Sequence, residues 1–242
     1  MKPRRSDFLS AFLRGFAIQA SWNYRTMIGG GMGFALAPLL QRIHAGDPVA
    51  LREAMARHTE EFNAHPYLAP IAIGALARAE YEGAPPETVA RFRDALRAPL
   101  GALGDQAVWA GWRPFCVSSA IVAHLLGVGA VAATVAFLVV YNAVHIAIRA
   151  WGFRLGWDEG LSIGSSLRSA RLRSLAPRLV PVNLVLTGAV AVLLIARLPD
   201  GPPEPWMGAA AAAVGLTAYF VPRRLTVPVM AALFAALAAW LL

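Results

Sequence analysis

The chain has 242 residues and a formal net charge of +8, with 57% hydrophobic residues, 15% charged residues and a mean hydropathy of +0.53. Soluble domains usually carry about 25% charged residues, so folding in water would leave too little polar surface to face solvent. The arginines cluster beside apolar segments, which favours membrane anchoring by the positive-inside rule over nucleic-acid binding. The single cysteine, Cys116, excludes an internal disulfide and a multi-cysteine metal site. Composition therefore predicts a protein of the lipid bilayer with no nucleic-acid partner.

The first predicted element is an amphipathic helix near the N-terminus. Its polar face carries Asp7, Ser10 and Arg14, and its apolar face carries Leu9, Phe12, Leu13 and Phe16. This pattern is typical of a helix that lies in the membrane interface, and equally of one that docks on other protein. The polar residues interrupt the apolar core that a cleavable signal peptide would need.

Residues 1–97 are predicted to form an amphipathic, cytoplasmic-facing and half-embedded helical region. The glycine run at 29–33 suggests a flexible joint. Asp47 and Pro48 begin a helix, with Asp47 as N-cap and Pro48 at the first helical position. This helix should end near Asn63, because the residue before Pro66 is disfavoured in the helical region.

Two apolar stretches, 67–79 and 99–114, are too short to cross a bilayer. We predict re-entrant helical hairpins here, with a buried helix as the alternative for 67–79. Residues 98–165 are assigned to the re-entrant segment plus a first span, placed in the apolar run 117–148. Glycines recur every four residues after that run, which predicts a face for close helix packing. These glycines are Gly152, Gly156, Gly160 and Gly164.

Residues 166–242 are predicted to hold the C-terminal membrane spans. The apolar segments are 179–196, 206–221 and 225–242. Basic clusters precede the first and last of them, at Arg168–Arg178 and Arg223–Arg224, which predicts a cytoplasmic N-terminus and a C-terminus outside. The complete prediction is an all-α, multi-pass membrane protein with about four C-terminal spans.

Polar and aromatic motifs interrupt the apolar sequence in a distinctive order. They are residues 20–24 (ASWNY), 57–67 (RHTEEFNAHPY), 99–105 (PLGALGD), 109–114 (WAGWRP) and 141–149 (YNAVHIAIR), followed by Gly152. Taken together they resemble the IID component of the mannose/fructose/sorbose family of bacterial sugar phosphotransferase systems. The resemblance covers most of residues 8–164.

The resemblance implies a non-catalytic permease subunit in the bacterial cytoplasmic (inner) membrane. It would pair with a IIC membrane subunit in a hetero-oligomer that translocates a sugar. That sugar would be a hexose such as mannose, fructose, sorbose or an amino sugar. Phosphoryl transfer would belong to separate IIA and IIB (or IIAB) components on the cytoplasmic side, so neither a cofactor nor a phosphohistidine is expected here.

The chain departs from the family pattern at several polar positions. Arg25, Thr26 and Ile28 stand where family members usually have Glu, Arg and Gln, and His145 stands where arginine is common. These changes leave a rival hypothesis, a regulatory or scaffolding membrane protein derived from a IID subunit. A third hypothesis is a membrane enzyme that uses Asp105 or Ser162. However, the Gly-x-Ser-x-Gly pattern around Ser162 is meaningful only between a strand and a helix.

The candidate substrate-binding residues combine aromatic rings with hydrogen-bonding groups, as a sugar requires. They are Trp22, Asn23, Tyr24, Asn63, His65 and Asp105. Asn63 and His65 flank a break between helices, where a transporter exposes backbone groups to its ligand; the alternative is that they are turn and cap residues that join cytoplasmic helices to the core. A carboxylate at membrane depth, such as Asp105, usually faces a cavity or a partner; capping of the following helix is the alternative. No catalytic residue and no metal site are predicted.

Overall fold

In this computed structural model, residues 1–169 and 171–197 are described. They form helices, and these ranges contain no extended strand, only isolated bridges that join Met27 to Asn23 and to Phe62. The α-helices are α1 (Arg5–Arg14), α2 (Gly29–Ile43), α3 (Pro48–Thr59), α4 (Ala69–Tyr81), α5 (Pro86–Gly104), α6 (Arg113–Leu125), α7 (Ala130–Glu159), α8 (Ile163–Ser169) and α9 (Leu175–Ile195). Short 3-10 turns occupy Gly15–Ala17, Gly160–Ser162 and Arg171–Ser174, and a π-helix occupies Asp105–Trp112. The predicted all-α class is confirmed for these residues.

The chain divides into two compact units. The first unit combines Met1–Ala107 with Asn142–Arg173, and the second combines Val108–Tyr141 with Ser174–Leu242. The predicted divisions after residues 97 and 165 concern placement in the membrane, and they stay a prediction.

The core of the first unit is built around α4. This helix has 13 residues, of which all but Arg78 and Tyr81 are buried. Its length of about 20 Å, at about 1.5 Å per residue, is too short for a hydrocarbon layer of about 30 Å. The stretch 67–79, predicted as a re-entrant or a buried helix, is a short helix buried within its own unit, and its entry into the membrane stays a prediction.

Glycines bring α4 and α7 into backbone contact. A Cβ atom at Gly74 would collide with the backbone of Phe153 and Trp157, and one at Gly156 would collide with the carbonyl of Ile71. The predicted packing face is confirmed at Gly152 and Gly156, both of which meet Ile71. Gly160 instead adopts a left-handed φ of +52° at the end of α7.

The glycine run at 29–33 begins α2, so the predicted flexible joint is wrong. A Cβ atom at Gly29 would strike the carbonyl of Glu60, and one at Gly31 would strike that of Ile18. The glycines are present because neighbouring backbones approach here, and that close packing holds the segment in a helix.

Helix α1 is docked on protein, which is one of the two alternatives predicted for it; its position in the membrane interface stays a prediction. Its inner side packs on the rest of the unit, where Ala11 is buried and the Phe8 ring meets Trp157 edge-on at 4.6 Å. On its outer side, Leu9 and Leu13 are 59% and 58% exposed. The helix is therefore docked on protein and still presents apolar side chains outward.

The stretch 99–114, predicted as a re-entrant helical hairpin, is helical throughout, and its placement in the membrane stays a prediction. Helix α5 continues through Pro99 to Gly104, and the π-helix then leads to α6. In the second unit, the amide nitrogen of Asn183 on α9 donates to the carbonyls of Ala110 and Gly111 at 3.2 and 2.9 Å. This side chain satisfies carbonyls of the π-helix.

The second unit contains a helix break inside the predicted first span. The run 117–148 is not one helix, because α6 ends at Leu125 and α7 begins at Ala130, with Gly127 at φ +107° between them. Ala130–Leu167 and Pro177–Leu194 are long and apolar enough to cross a membrane. The second of these matches the predicted span 179–196. The predicted spans 206–221 and 225–242 lie outside the described residues.

Candidate functional site

Glu80, on the buried helix α4, is the centre of a charged cluster in the first unit. Its side chain is 4% exposed. Its Oε1 atom accepts a hydrogen bond from the Arg57 guanidinium at 2.7 Å and lies 2.9 Å from His58 Nε2, and its Oε2 atom lies 3.2 Å from His44 Nε2. One carboxylate therefore ties α4 to α3 and to the end of α2.

The protonation states of this cluster follow from burial and hydrogen bonding. Burial alone would raise the pKa of Glu80, but hydrogen bonds from His58 and Arg57 hold that pKa at about 2. Burial lowers the pKa of His58, so its ring is neutral and donates the Nε2 proton to Glu80. His58 Nδ1 is then a buried acceptor without a hydrogen bond within the described ranges. The ionised carboxylate of Glu80 therefore contacts the Arg57 guanidinium and the neutral imidazole of His58.

A second cluster surrounds Arg149 on α7, whose side chain is only 4% exposed. Its guanidinium donates to the carbonyl of Gly15 at 2.7 Å and to His145 Nε2 at 2.6 Å. It also lies over the rings of Tyr67 and Phe16, at 5.2 and 4.9 Å, while Tyr67 stacks on His145 at 3.8 Å. No carboxylate in the described part of the chain pairs with Arg149. A buried cation on a membrane-length helix is a candidate functional group.

His65 connects this cluster to the segment that carries Asp105. Its Nδ1 atom accepts the backbone N–H of Tyr67 at 3.1 Å, and a Cβ atom on Gly104 would collide with its ring. Burial, followed by the charge of Arg149, lowers the pKa of His65 to about 4, so the ring is neutral at physiological pH. Asp105 itself is exposed at the start of the π-helix.

The loop at residues 20–28 is organised by Asn23. The Asn23 amide nitrogen donates to the Thr26 hydroxyl at 2.8 Å, and its oxygen accepts from the backbone of Arg25 and Thr26. Met27 lies in the left-handed region at φ +52°, a conformation that costs roughly 1 kcal/mol or more outside glycine. The Ile28 amide donates to the Phe62 carbonyl, and the Phe62 amide donates to the Thr26 carbonyl. These backbone hydrogen bonds hold the loop against the non-helical segment between α3 and α4.

Arg93, on α5, contacts the same non-helical segment between α3 and α4. Its side chain is 2% exposed and donates to the carbonyl of Glu60, the C-cap of α3. The guanidinium also lies 5.2 Å from the centroid of the Phe62 ring. A buried cation at a helix C-terminus is favoured by the helix dipole, and here it holds the segment to which the loop is paired.

The structure brings the predicted site residues together in two groups. Trp22, Asn23 and Tyr24 lie in a loop whose backbone pairs with Phe62, next to the exposed Asn63. His65 and Asp105 form the second group, joined by the packing of Gly104 on His65. Asn23 serves as a turn residue, as its alternative role predicted, and His65 is a buried side chain rather than an open one.

The Glu80 cluster, the role of Arg93 and the burial of Arg149 were not predicted from the sequence. Each is a charged residue beside or within an apolar helical stretch, and that is the signal that could have found them. Among the described residues, no group of three or more His, Cys, Asp or Glu side chains could hold a metal ion.

Helices of membrane length and exposed apolar side chains on α7 are the features of a helical membrane protein. A sequence profile described as "PTS system mannose/fructose/sorbose family IID component" matches residues 3–196. The chain therefore belongs to the IID component family of the mannose/fructose/sorbose sugar phosphotransferase systems, whose members are membrane permease subunits. This assignment confirms the predicted family and favours a transport component over the regulatory alternative.

Individual relatives have related names. The mannose-specific EIID component of Escherichia coli K12 is 28% identical over 194 residues, covering 78% of this chain and 68% of the relative. The fructose permease IID component of Bacillus subtilis is 26% identical, with 77% and 68% covered. The sorbose-specific EIID component of Klebsiella pneumoniae is 29% identical, with 78% and 70% covered.

Solved structures share the fold. A chain from a cryo-EM structure of the mannose transporter ManYZ in complex with microcin E492 aligns with a TM-score of 0.61 and 23% identity, covering 98% of this chain and 96% of that one. A second structure, described as a membrane protein, aligns with a TM-score of 0.70 and 23% identity, covering 99% and 98%.

Proposed function

We propose that this IID component pairs with a IIC membrane subunit to form the sugar-translocating unit of its system. The main support is the apolar surface of α7, where Val131 and Val139 are 79% and 62% exposed. Exposed apolar area costs about 25 cal/mol per Å² in water, so lipid and a second polytopic chain would cover it. The fold shared with a chain of the ManYZ transporter structure also supports such a pair.

In this proposal the chain does no bond chemistry. Phosphoryl groups are carried by IIA and IIB (or a fused IIAB) on the cytoplasmic side, and the sugar is a hexose such as mannose, fructose, sorbose or an amino sugar. IIB would dock on the basic N-terminal region, where Lys2, Arg4 and Arg5 are exposed. Such a basic surface would attract an acidic partner face and increase its association rate.

The proposed topology is multi-pass in the bacterial cytoplasmic membrane, with the N-terminus in the cytoplasm and the C-terminus outside. Helix α4 and the stretch 99–114 enter the membrane without crossing it. The C-terminal spans follow, and an odd number of crossings is required for the two termini to lie on opposite sides; α7 and α9 belong to the described residues. The basic residues between α7 and α9 support a cytoplasmic position for that connection.

We assign sugar contact to the loop that carries Trp22, Asn23 and Tyr24, together with Asn63, His65 and Asp105. Trp22 and Tyr24 are 46% and 86% exposed, and their ring centroids are 4.8 Å apart. Exposed rings of this kind can stack on the apolar face of a pyranose, while Asn63 and Asp105 offer exposed polar groups. His65 would act by positioning Tyr67.

Affinity purification of the tagged chain in mild detergent tests the partnership. We expect a IIC-like polytopic protein to co-elute in a fixed ratio, and a folded, monodisperse chain without that companion would refute the pairing. Tryptophan substitutions at Val131 and Val139 should reveal the face that contacts IIC, because a lipid-facing position accepts the larger ring. Val49→Trp on α3 is the control, since Val49 is 60% exposed and lies on a helix outside the candidate spans.

Sugar uptake by loop variants tests the site. Trp22→Ala should raise the KM for uptake about tenfold, equivalent to about 1.4 kcal/mol of lost binding, while Trp22→Phe should keep most of the affinity. Phe34→Ala is the matched control, because Phe34 is 49% exposed and lies on α2. A wild-type KM in Trp22→Ala would show that the loop does not contact the sugar.

A further inference from the structure

An open apolar groove runs between α1 and the last turns of α7, within the first unit and apart from the proposed sugar site. Its volume is about 370 Å³. The groove is lined by Phe8, Leu9, Phe12, Ala150, Phe153, Arg154, Trp157 and Asp158.

The walls of the groove are aromatic. The Phe8 ring meets Trp157 edge-on at 4.6 Å and Phe153 at 6.2 Å, and Phe12 lies 6.3 Å from Phe153. Leu9 extends the apolar surface at the opening, where it is 59% exposed. Such a trough offers an acyl chain a continuous apolar contact.

The rim of the groove carries one positive and one negative side chain. Arg154 and Asp158 lie one helical turn apart on α7, and both are exposed. No ion pair joins them to each other or to another residue of the described ranges. Two opposite charges, about 5–6 Å apart at their Cβ atoms, therefore face the same opening.

The groove lies where α7 changes from apolar to charged. Ile146 and Trp151 are 47% and 40% exposed and precede Arg154 on the same helix. Exposed tryptophan is typical of the level of the lipid headgroups, and charged residues lie beyond it. The aromatic walls would then face hydrocarbon, while the charged rim lies among the headgroups.

We propose that this groove binds a membrane phospholipid with a zwitterionic phosphoethanolamine headgroup. An acyl chain lies on Phe8, Phe153 and Trp157. The phosphate accepts hydrogen bonds from the planar guanidinium of Arg154, and the primary ammonium donates to the carboxylate of Asp158. A choline headgroup has no N–H to donate, and an anionic headgroup has no ammonium to offset the repulsion between Asp158 and the phosphate. The proposal depends on the membrane location of the chain and not on the sugar site.

Native mass spectrometry of the purified full chain, with any co-purified membrane partner, tests this assignment. The delipidated protein is titrated with dioleoyl phosphatidylethanolamine, phosphatidylcholine and phosphatidylglycerol. We expect phosphatidylethanolamine to bind about five- to tenfold more tightly than the other two lipids, the factor that one typical net hydrogen bond supplies. Asp158→Asn should abolish that preference, and Arg154→Gln should weaken the binding of all three lipids.

Glu87 and Arg91 provide the matched control, because they have the same four-residue spacing and are exposed on α5, away from the groove. Glu87→Gln and Arg91→Gln should bind like wild type. If Arg154→Gln does not fold by circular dichroism, Arg154→Lys should fold and retain the lipid preference. Equal binding of the three lipids, equal losses in the control variants, or a groove filled by the protein partner with no retained lipid would each overturn the proposal.

Discussion

Replacement of Glu80 by glutamine should destabilise the protein far more than its conservative size suggests. The variant removes the negative charge that accepts from Arg57 and His58, and it leaves the Arg57 guanidinium largely buried without its carboxylate. The fall of the Glu80 pKa from 4.5 to about 2 corresponds to about 3 kcal/mol, since one pKa unit is worth about 1.4 kcal/mol.

The free energy of unfolding can be measured by SDS titration in mild detergent at pH 7. We expect Glu80→Gln to lose about 3 kcal/mol. Glu82→Gln is the matched control, because Glu82 also accepts from an arginine at 2.7 Å but its side chain is 46% exposed. An exposed pair of this spacing contributes about 0.3–0.5 kcal/mol. Equal losses in the two variants would refute the argument from burial.

The same carboxylate predicts a pH dependence. Because its folded-state pKa is below the unfolded value, its stabilisation is complete above pH 4.5 and is lost as pH falls towards 2. Wild-type stability should decline across that window, and the decline should be smaller in Glu80→Gln. Parallel curves for the two proteins would show that Glu80 is not the group responsible.

Three further variants test other contacts. Gly156→Ala should cost about 1–3 kcal/mol because its Cβ meets the Ile71 carbonyl, whereas Gly101→Ala, with 4.0 Å of clearance, should be tolerated in the same unfolding titration. Arg93→Met should lower the free energy of unfolding by about 1–3 kcal/mol and weaken sugar uptake, because the loop loses its support. If the folded variant takes up sugar like wild type, Arg93 does not support the site. Between pH 6.5 and about 4, His65 binds a proton in the unfolded chain but not in the folded protein, so wild type should lose stability as the pH falls through this range. His65→Asn should lose less, and the same pH dependence of stability in the variant and in wild type would contradict this.

Local patterns predicted much of the fold. The N-cap pair Asp47–Pro48 and the amphipathic α1 depend on residues a few positions apart, and the structure contains both. The four-residue glycine spacing marked a packing face that the structure shows at Gly152 and Gly156, two of the four glycines. The glycine run at 29–33 was misread, because its meaning depends on the backbones of Ile18 and Glu60, which are distant in sequence. The break at Gly127 was missed because apolar residues continue on both sides of it.

The candidate site stays a prediction, and the structure shows only where its residues lie. The motifs around Asn63 and Asp105 were selected because polar and aromatic residues are conspicuous in an apolar chain, and their contact with sugar stays a prediction. Sequence could not assign Glu80 to Arg57, because an ion pair between α3 and α4 is created by packing and not by spacing. Nor could it show that His65 lies buried against Gly104.

Reconstitution tests the central claim, that this chain is one half of a sugar-translocating pair. Proteoliposomes are prepared with the IIC subunit, with this chain, or with both, and are supplied with IIAB and a phosphoryl donor. Accumulation of labelled mannose, fructose, sorbose and glucosamine is then measured. We predict phosphate-dependent uptake of at least one sugar only when both membrane chains are present. Equal uptake by IIC alone would contradict the account.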